Sequence, residues 1–180
     1  SVAKQMAVSW SEIPHVSHRD EADITEMELF RKRHKEEVEK AGGKLTLLIL
    51  VLKAAVCALK VFPRFNAVLD LEGEEIILKR FYHLGIATDT DRGLIVPVMK
   101  NADRKSITEL AIELPQLTNK AREGNLRLGD VKGGTFTITN IGSLGGTGFQ
   151  PIINHPESAI LGLGKARYKP VVRYRSEEDY

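Results

Sequence analysis

Residues 134–154 read GTFTITNIGSLGGTGFQPIIN. Threonine, isoleucine and phenylalanine crowd the first third, so residues 135–141 are expected as a strand. The glycines at 142, 145, 146 and 148 then make residues 142–148 a loop. A strand running into a glycine-rich loop invites a nucleotide-binding reading. Phosphate loops need a helix N-terminus after the glycines, and a P-loop needs Gly-Lys-Ser/Thr. Here Phe149-Gln150-Pro151-Ile152 follows, so that reading is set aside. The glycines allow a tight backbone path, and they also let a long, thin substrate pass close to the main chain.

Upstream, helices alternate with short strands. Thr25 and Glu28 have the spacing of a capping box, and residues 26–40 are rich in helix formers before Gly42-Gly43. Thr46 is the expected cap of a second helix running to about residue 61. That helix is apolar nearly all round, so it is expected to be central and buried, with Cys57 as packing. Residues 15–24 read as a weak strand. Residues 66–71 and 75–79 form an expected hairpin about Glu72-Gly73-Glu74, and residues 81–89 and 94–99 another about Thr90-Asp91-Arg92-Gly93. Ser106 and Glu109 give a second capping box, opening a helix from 107 to about 123 with Gly124 at its end and Pro115 expected to kink it. Residues 152–153 and 158–163 read as extended, with Val171-Val172 beginning another strand. The pattern argues for one α/β domain over residues 1–180, a mixed sheet packed with helices in an α+β sandwich.

Composition narrows the classes. With 26 basic and 24 acidic residues in 180, net charge is +2, and no large field invites nucleic acid. Lys32, Arg33 and Lys35 are followed by Glu36, Glu37 and Glu39, the pattern of a solvated helix face with pairs such as Lys35 with Glu39. The longest apolar run, residues 45–59, is too short to span a bilayer. One cysteine, Cys57, cannot form an internal disulfide, and the cytoplasm is the expected compartment. His15 and His18, three apart on an expected strand, point to opposite faces and make a poor metal pair; Asp89 and Asp91 sit at a turn. No metal is expected. His83 lacks a nucleophile partner nearby and is expected to be structural.

Four segments resemble the catalytic domain of dihydrolipoamide acyltransferases, the core component of 2-oxo-acid dehydrogenase complexes such as pyruvate dehydrogenase. They are Ile13-Pro14-His15-Val16 with the residues 20–25 that follow, Phe65-Asn66, the run from Gly85-Ile86-Ala87 to Pro97-Val98, and residues 134–154. The resemblance implies a fold like chloramphenicol acetyltransferase, with active sites between the subunits of a homotrimer that builds a cage. It implies that an acyl group on a dihydrolipoyl arm, carried by a separate lipoyl domain, passes to coenzyme A. It implies as partners a 2-oxo-acid decarboxylase and a dihydrolipoamide dehydrogenase, in the cytoplasm or, in a eukaryote, the mitochondrial matrix.

On its residues alone Thr139 is an ordinary strand threonine; the resemblance makes it the hydroxyl that stabilises a tetrahedral oxyanion. It also brings Gly93, Leu94, Gly145, Gly146 and Phe149 near the substrate channel. The family's base lies in a His-x-x-x-Asp-Gly motif beyond the strand that follows residues 169–172, and no such motif occurs in this chain. The chain is therefore expected to be incomplete at its C-terminus, and at its N-terminus too, and by itself to have negligible activity. A non-catalytic cage-forming scaffold is the rival reading, and an antibiotic acetyltransferase of the same fold a second. The acyl group carried, the cage size and the cause of the missing C-terminus lie beyond the sequence.

Overall fold

The apolar run at residues 45–61 becomes the helix against which the rest packs. The computed structural model describes residues 2–70 and 72–172. Its helices are α1 (Val2–Glu12), α2 (Thr25–Lys40), α3 (Leu47–Val61) and α4 (Ile107–Glu123). Its strands are β1 (Ala67–Asp70), β2 (Glu75–Leu78), β3 (Leu84–Ile86), β4 (Thr88–Thr90), β5 (Gly93–Ile95), β6 (Val98–Met99), β7 (Phe136–Asn140) and β8 (Ile160–Leu163). The central sheet has the order β6-β3-β7-β8, with β7 parallel to both neighbours and β6 antiparallel to β3. This is the expected mixed sheet with packed helices. Hairpins β1–β2 and β4–β5 stand beside it.

Ile49, Leu52 and Val56 of α3 meet Leu110, Ala111 and Leu114 of α4 and, across the layer, Leu84, Ile86, Phe136 and Ile138 of the sheet. Each such side chain contributes roughly 1.5–3 kcal/mol by leaving water. α3 is not buried all round as its composition suggested: Cys57 and Val61 are exposed, and so is Phe62 just after it. The described residues cover only one face of α3, so apolar residues at other helical angles stay outside.

The helix ends follow local chemistry. At α4 the capping box forms: Glu109 N donates to Ser106 Oγ at 3.2 Å, and Ser106 N to the Glu109 carboxylate at 2.7 Å. Gly124 closes the helix in the left-handed conformation, φ +75°. Pro115 lies inside a continuous helix, and the Ala111 carbonyl it deprives of a donor accepts Lys44 N at 2.9 Å. At α2 the expected box does not form. Thr25 is the first helical residue, and the Glu28 carboxylate is held by both arms of Arg31 at 2.7 Å. Thr46 occupies the cap position of α3 without a side-chain cap bond, and its buried hydroxyl has no partner among the described residues. Lys35 and Glu39 pair at 3.6 Å.

Residues 15–24 form no strand. His15 instead accepts Ile153 N on Nε2 at 2.9 Å, so Nδ1 carries the proton and donates to Ile13 O at 2.8 Å. The run at 81–89 divides at Ala87, whose N still donates to Ile138 O in the β3–β7 ladder, into β3 and β4, and the 94–99 run divides into β5 and β6. Residues 152–153 and 171–172 are not strands, and anything expected beyond residue 172 lies outside the described residues. No described helix is long and apolar enough to cross a membrane, and no cluster of three metal-ligating side chains occurs among the described residues.

Candidate functional site

Alternation along β7 sends successive side chains to opposite faces. Phe136 and Ile138 enter the core under α3 and α4. Thr135, Thr137 and Thr139 face the other way. Thr135 is buried, with its hydroxyl accepting His83 N at 3.2 Å. Thr137 is buried and donates to the Glu157 carboxyl at 2.6 Å. Thr139, half-buried, makes no side-chain hydrogen bond to any described residue. One threonine of the row is thus left free to donate.

Glycines flank this row at the matching heights. Gly85 of β3 pairs with Thr137 and Gly162 of β8 with Thr139. A Cβ on Gly85 would come 2.8 Å from Thr137 Oγ1, and one on Gly162 would come 2.8 Å from Phe149 Cζ. Paired residues of neighbouring strands point to the same face, so the Phe149 ring lies on β8 beside Thr139. Residues 142–148 fold back across the ends of β7 and β8. Asn140 Oδ1 accepts Gly142 N at 2.8 Å, Ile141 N donates to Leu163 O at 3.0 Å, and Lys165 N to Gly146 O at 2.8 Å. Gly145 turns with φ +89°, which favours glycine. Thr139, Gly145, Gly146 and Phe149 therefore gather at one end of the parallel strands.

Gly93 and Leu94 sit on β5, in the hairpin that springs from the chain just after Ala87. Gly93 has φ +97° and Leu94 is exposed. No hydrogen bond among the described residues joins either to Thr139 or to the glycine-rich loop. The structure brings together four of the six candidates and leaves these two on a neighbouring element.

Glu157 was missed in the sequence because His-Pro-Glu-Ser reads as a polar turn. It is 4% exposed, and burial pushes its carboxyl up from 4.5 to about 7 despite hydrogen bonds from Thr137 and Asn154. The loop it anchors is held from outside as well: His155 N donates to Ser9 Oγ of α1 at 3.1 Å, and the His155 ring lies 3.3 Å from the Glu12 carboxylate. His83 is structural, accepting Asn101 N on Nδ1 at 3.0 Å; burial, first among the causes, holds its pKa below the ordinary value.

Comparison with known proteins gives one answer. The model of the 2-oxoacid dehydrogenases acyltransferase catalytic domain matches residues 1–178. The dihydrolipoyllysine-residue acetyltransferase component of the pyruvate dehydrogenase complex from Cupriavidus necator is 50% identical over 91% of this chain and 29% of its own length. The Bacillus subtilis counterpart is 49% identical over 96% of this chain and 39% of its own. The chain thus spans well under half of these relatives. Among solved structures, an Azotobacter vinelandii dihydrolipoamide acetyltransferase, investigated for the catalytic role of a serine, a histidine and an asparagine, superposes with a TM-score of 0.93 at 47% identity, covering 95% of this chain and 70% of that one. The cubic core of a pyruvate dehydrogenase multienzyme complex gives the same TM-score and coverage at 46% identity. On this agreement of sequence and fold, the chain belongs to the acyltransferase catalytic-domain family of the 2-oxoacid dehydrogenases.

Proposed function

We propose that this chain forms the greater part of a domain that moves an acetyl group from a dihydrolipoyl thioester to coenzyme A in the core of a pyruvate dehydrogenase complex. The observation that carries the reading is the unpartnered Thr139 hydroxyl, half-buried beside Phe149 at the glycine-lined end of β7. The names of the relatives support acetyl as the acyl group. In the reaction the thiol sulfur of coenzyme A bonds to the thioester carbonyl carbon as a base takes its proton. The carbonyl oxygen becomes an oxyanion, to which Thr139 Oγ1 donates. Collapse breaks the original carbon–sulfur bond, and the dihydrolipoyl sulfur leaves with a proton.

An oxyanion donor of this kind is worth about 10²- to 10³-fold in rate, and a positioned base about 10²- to 10⁴-fold. The base is a histidine, as the resemblance implies and as the histidine investigated in the similar Azotobacter vinelandii enzyme supports. Gly145, Gly146 and Phe149 line the path of the substrate arm, and Gly93 and Leu94 are channel-lining in the assembled protein. A homotrimer, built further into a cage with lipoyl domain, decarboxylase and dihydrolipoamide dehydrogenase as partners, is supported by the cubic core among the similar structures. It also accounts for exposed Phe62, Phe65, Ile76 and Leu78, which copies of the chain would cover. The relatives' bacterial hosts favour the cytoplasm.

The test is acetyl transfer from acetyl-dihydrolipoamide to coenzyme A by the longest natural chain that carries these residues. Transfer saturating in both thiols is expected, with negligible turnover by residues 1–180 alone. Cage-sized particles that neither bind coenzyme A nor transfer acetyl groups would establish the scaffold instead.

A further inference from the structure

Among the described residues, Glu157 is the one strongly buried carboxyl, and the acyl-transfer chemistry leaves it without a task. It belongs to the segment that runs from Phe149 to β8, yet its side chain reaches β7. Oε2 accepts Thr137 Oγ1 at 2.6 Å, and Oε1 accepts Asn154 Nδ2 at 3.3 Å. A Cβ on Gly134 would come 2.9 Å from Oε1, so the carboxyl also lies against the start of β7. No charged side chain contributes to its raised pKa; its partners are an hydroxyl and an amide.

A buried carboxyl with only neutral partners is a costly way to fasten a loop, since an apolar side chain would serve packing better. What it supplies is a directional tie of fixed length. Thr137 is two residues before Thr139 on the same face of the same strand, and Phe149 opens the segment that Glu157 ends. The ring of Phe149 rests on Gly162, which pairs with Thr139. One side chain therefore couples the strand that carries the free hydroxyl to the segment that carries the ring beside it.

We propose that Glu157 is a positioning residue for acyl transfer, bracing the 149–157 segment against β7 so that the Thr139 hydroxyl and the Phe149 ring hold their mutual setting. This rests on the acyltransferase reading above. Misplacement of a reacting group by about 1 Å can cost about 10²-fold, so loss of the brace should be felt in kcat, leaving KM for coenzyme A little changed.

The experiment is a double-mutant cycle in the longest natural chain, read as kcat for acetyl-dihydrolipoamide and coenzyme A. Glu157→Ala is expected to lower kcat about ten- to a hundredfold in the parent but less than about threefold in a Thr139→Ala background, because the brace acts through that hydroxyl. Glu157→Gln, which can keep a hydrogen bond to each partner, should recover kcat to within about threefold. Should Glu157→Ala not fold, Thr137→Val cuts the same tie from the other side, and its effect on kcat is expected to collapse in the same background. Equal losses in both backgrounds, or no loss in either, would overturn the positioning role. A parent with no acetyl transfer at all would instead remove the functional reading beneath it.

Discussion

The two faces of β7 are built on different terms. Toward α3 and α4, Phe136 and Ile138 are enclosed by Leu84, Leu110 and Leu114, and their setting is a matter of volume. Away from the helices, the Thr135 hydroxyl accepts from His83 N and donates to His83 O, Thr137 donates to Glu157, and Thr139 has no side-chain hydrogen bond among the described residues. The first face can be repacked by any side chains of the right size. The second specifies direction, and it ends in a donor with unused capacity. One short strand thus joins a face held by packing to a face held by directed bonds, at whose end lies the proposed oxyanion donor.

The largest expected effect lies on the packed face. Ile138 is 1% exposed, and Ile138→Ala should cost about 2–5 kcal/mol in urea unfolding, through lost burial and the cavity left behind. A loss below about 1 kcal/mol would mean that this face tolerates voids and is not held by close packing. The polar face predicts a pH effect of comparable size. The folded state holds the Glu157 proton more tightly than the unfolded chain, with a pKa of about 7 against 4.5. Its stabilising contribution is therefore complete below about pH 4.5 and fades as pH rises through about 7, by on the order of 3 kcal/mol. In Glu157→Gln that component of the stability profile should vanish; its persistence would assign it to another group. The smallest effect belongs to a residue on neither face. Ser106→Ala removes the α4 cap and should cost about 1 kcal/mol in thermal unfolding with the transfer rate unchanged.

What could be read ahead of the structure was what is local. The Ser106–Glu109 box and the Gly124 stop lie within one element, and both form. The Thr25–Glu28 box obeys the same spacing but fails, because Arg31 offers Glu28 a two-armed partner. The strand expected at 15–24 fails for a different reason. Its anchor, Ile153, is 138 residues away from His15, and no local pattern carries that information. The one-sided burial of α3 depends on how many layers cover it, which its own apolar residues do not specify. For the site, the threonine alternation was visible, and resemblance singled out Thr139. Gly162 and Glu157 were not, since they matter through Phe149 and Thr137, which only folding brings to them.

The role of the Thr139 hydroxyl is tested most directly by the rate of acetyl transfer to coenzyme A in Thr139→Ala and Thr139→Ser variants of the longest natural chain, with melting temperatures measured alongside. If Thr139 is the oxyanion donor, kcat falls about 10²- to 10³-fold for alanine, stays near the parent's for serine, and stability changes little for either. An alanine variant that transfers acetyl groups within about threefold of the parent would contradict that role, and would return Thr139 to the status of an ordinary strand residue.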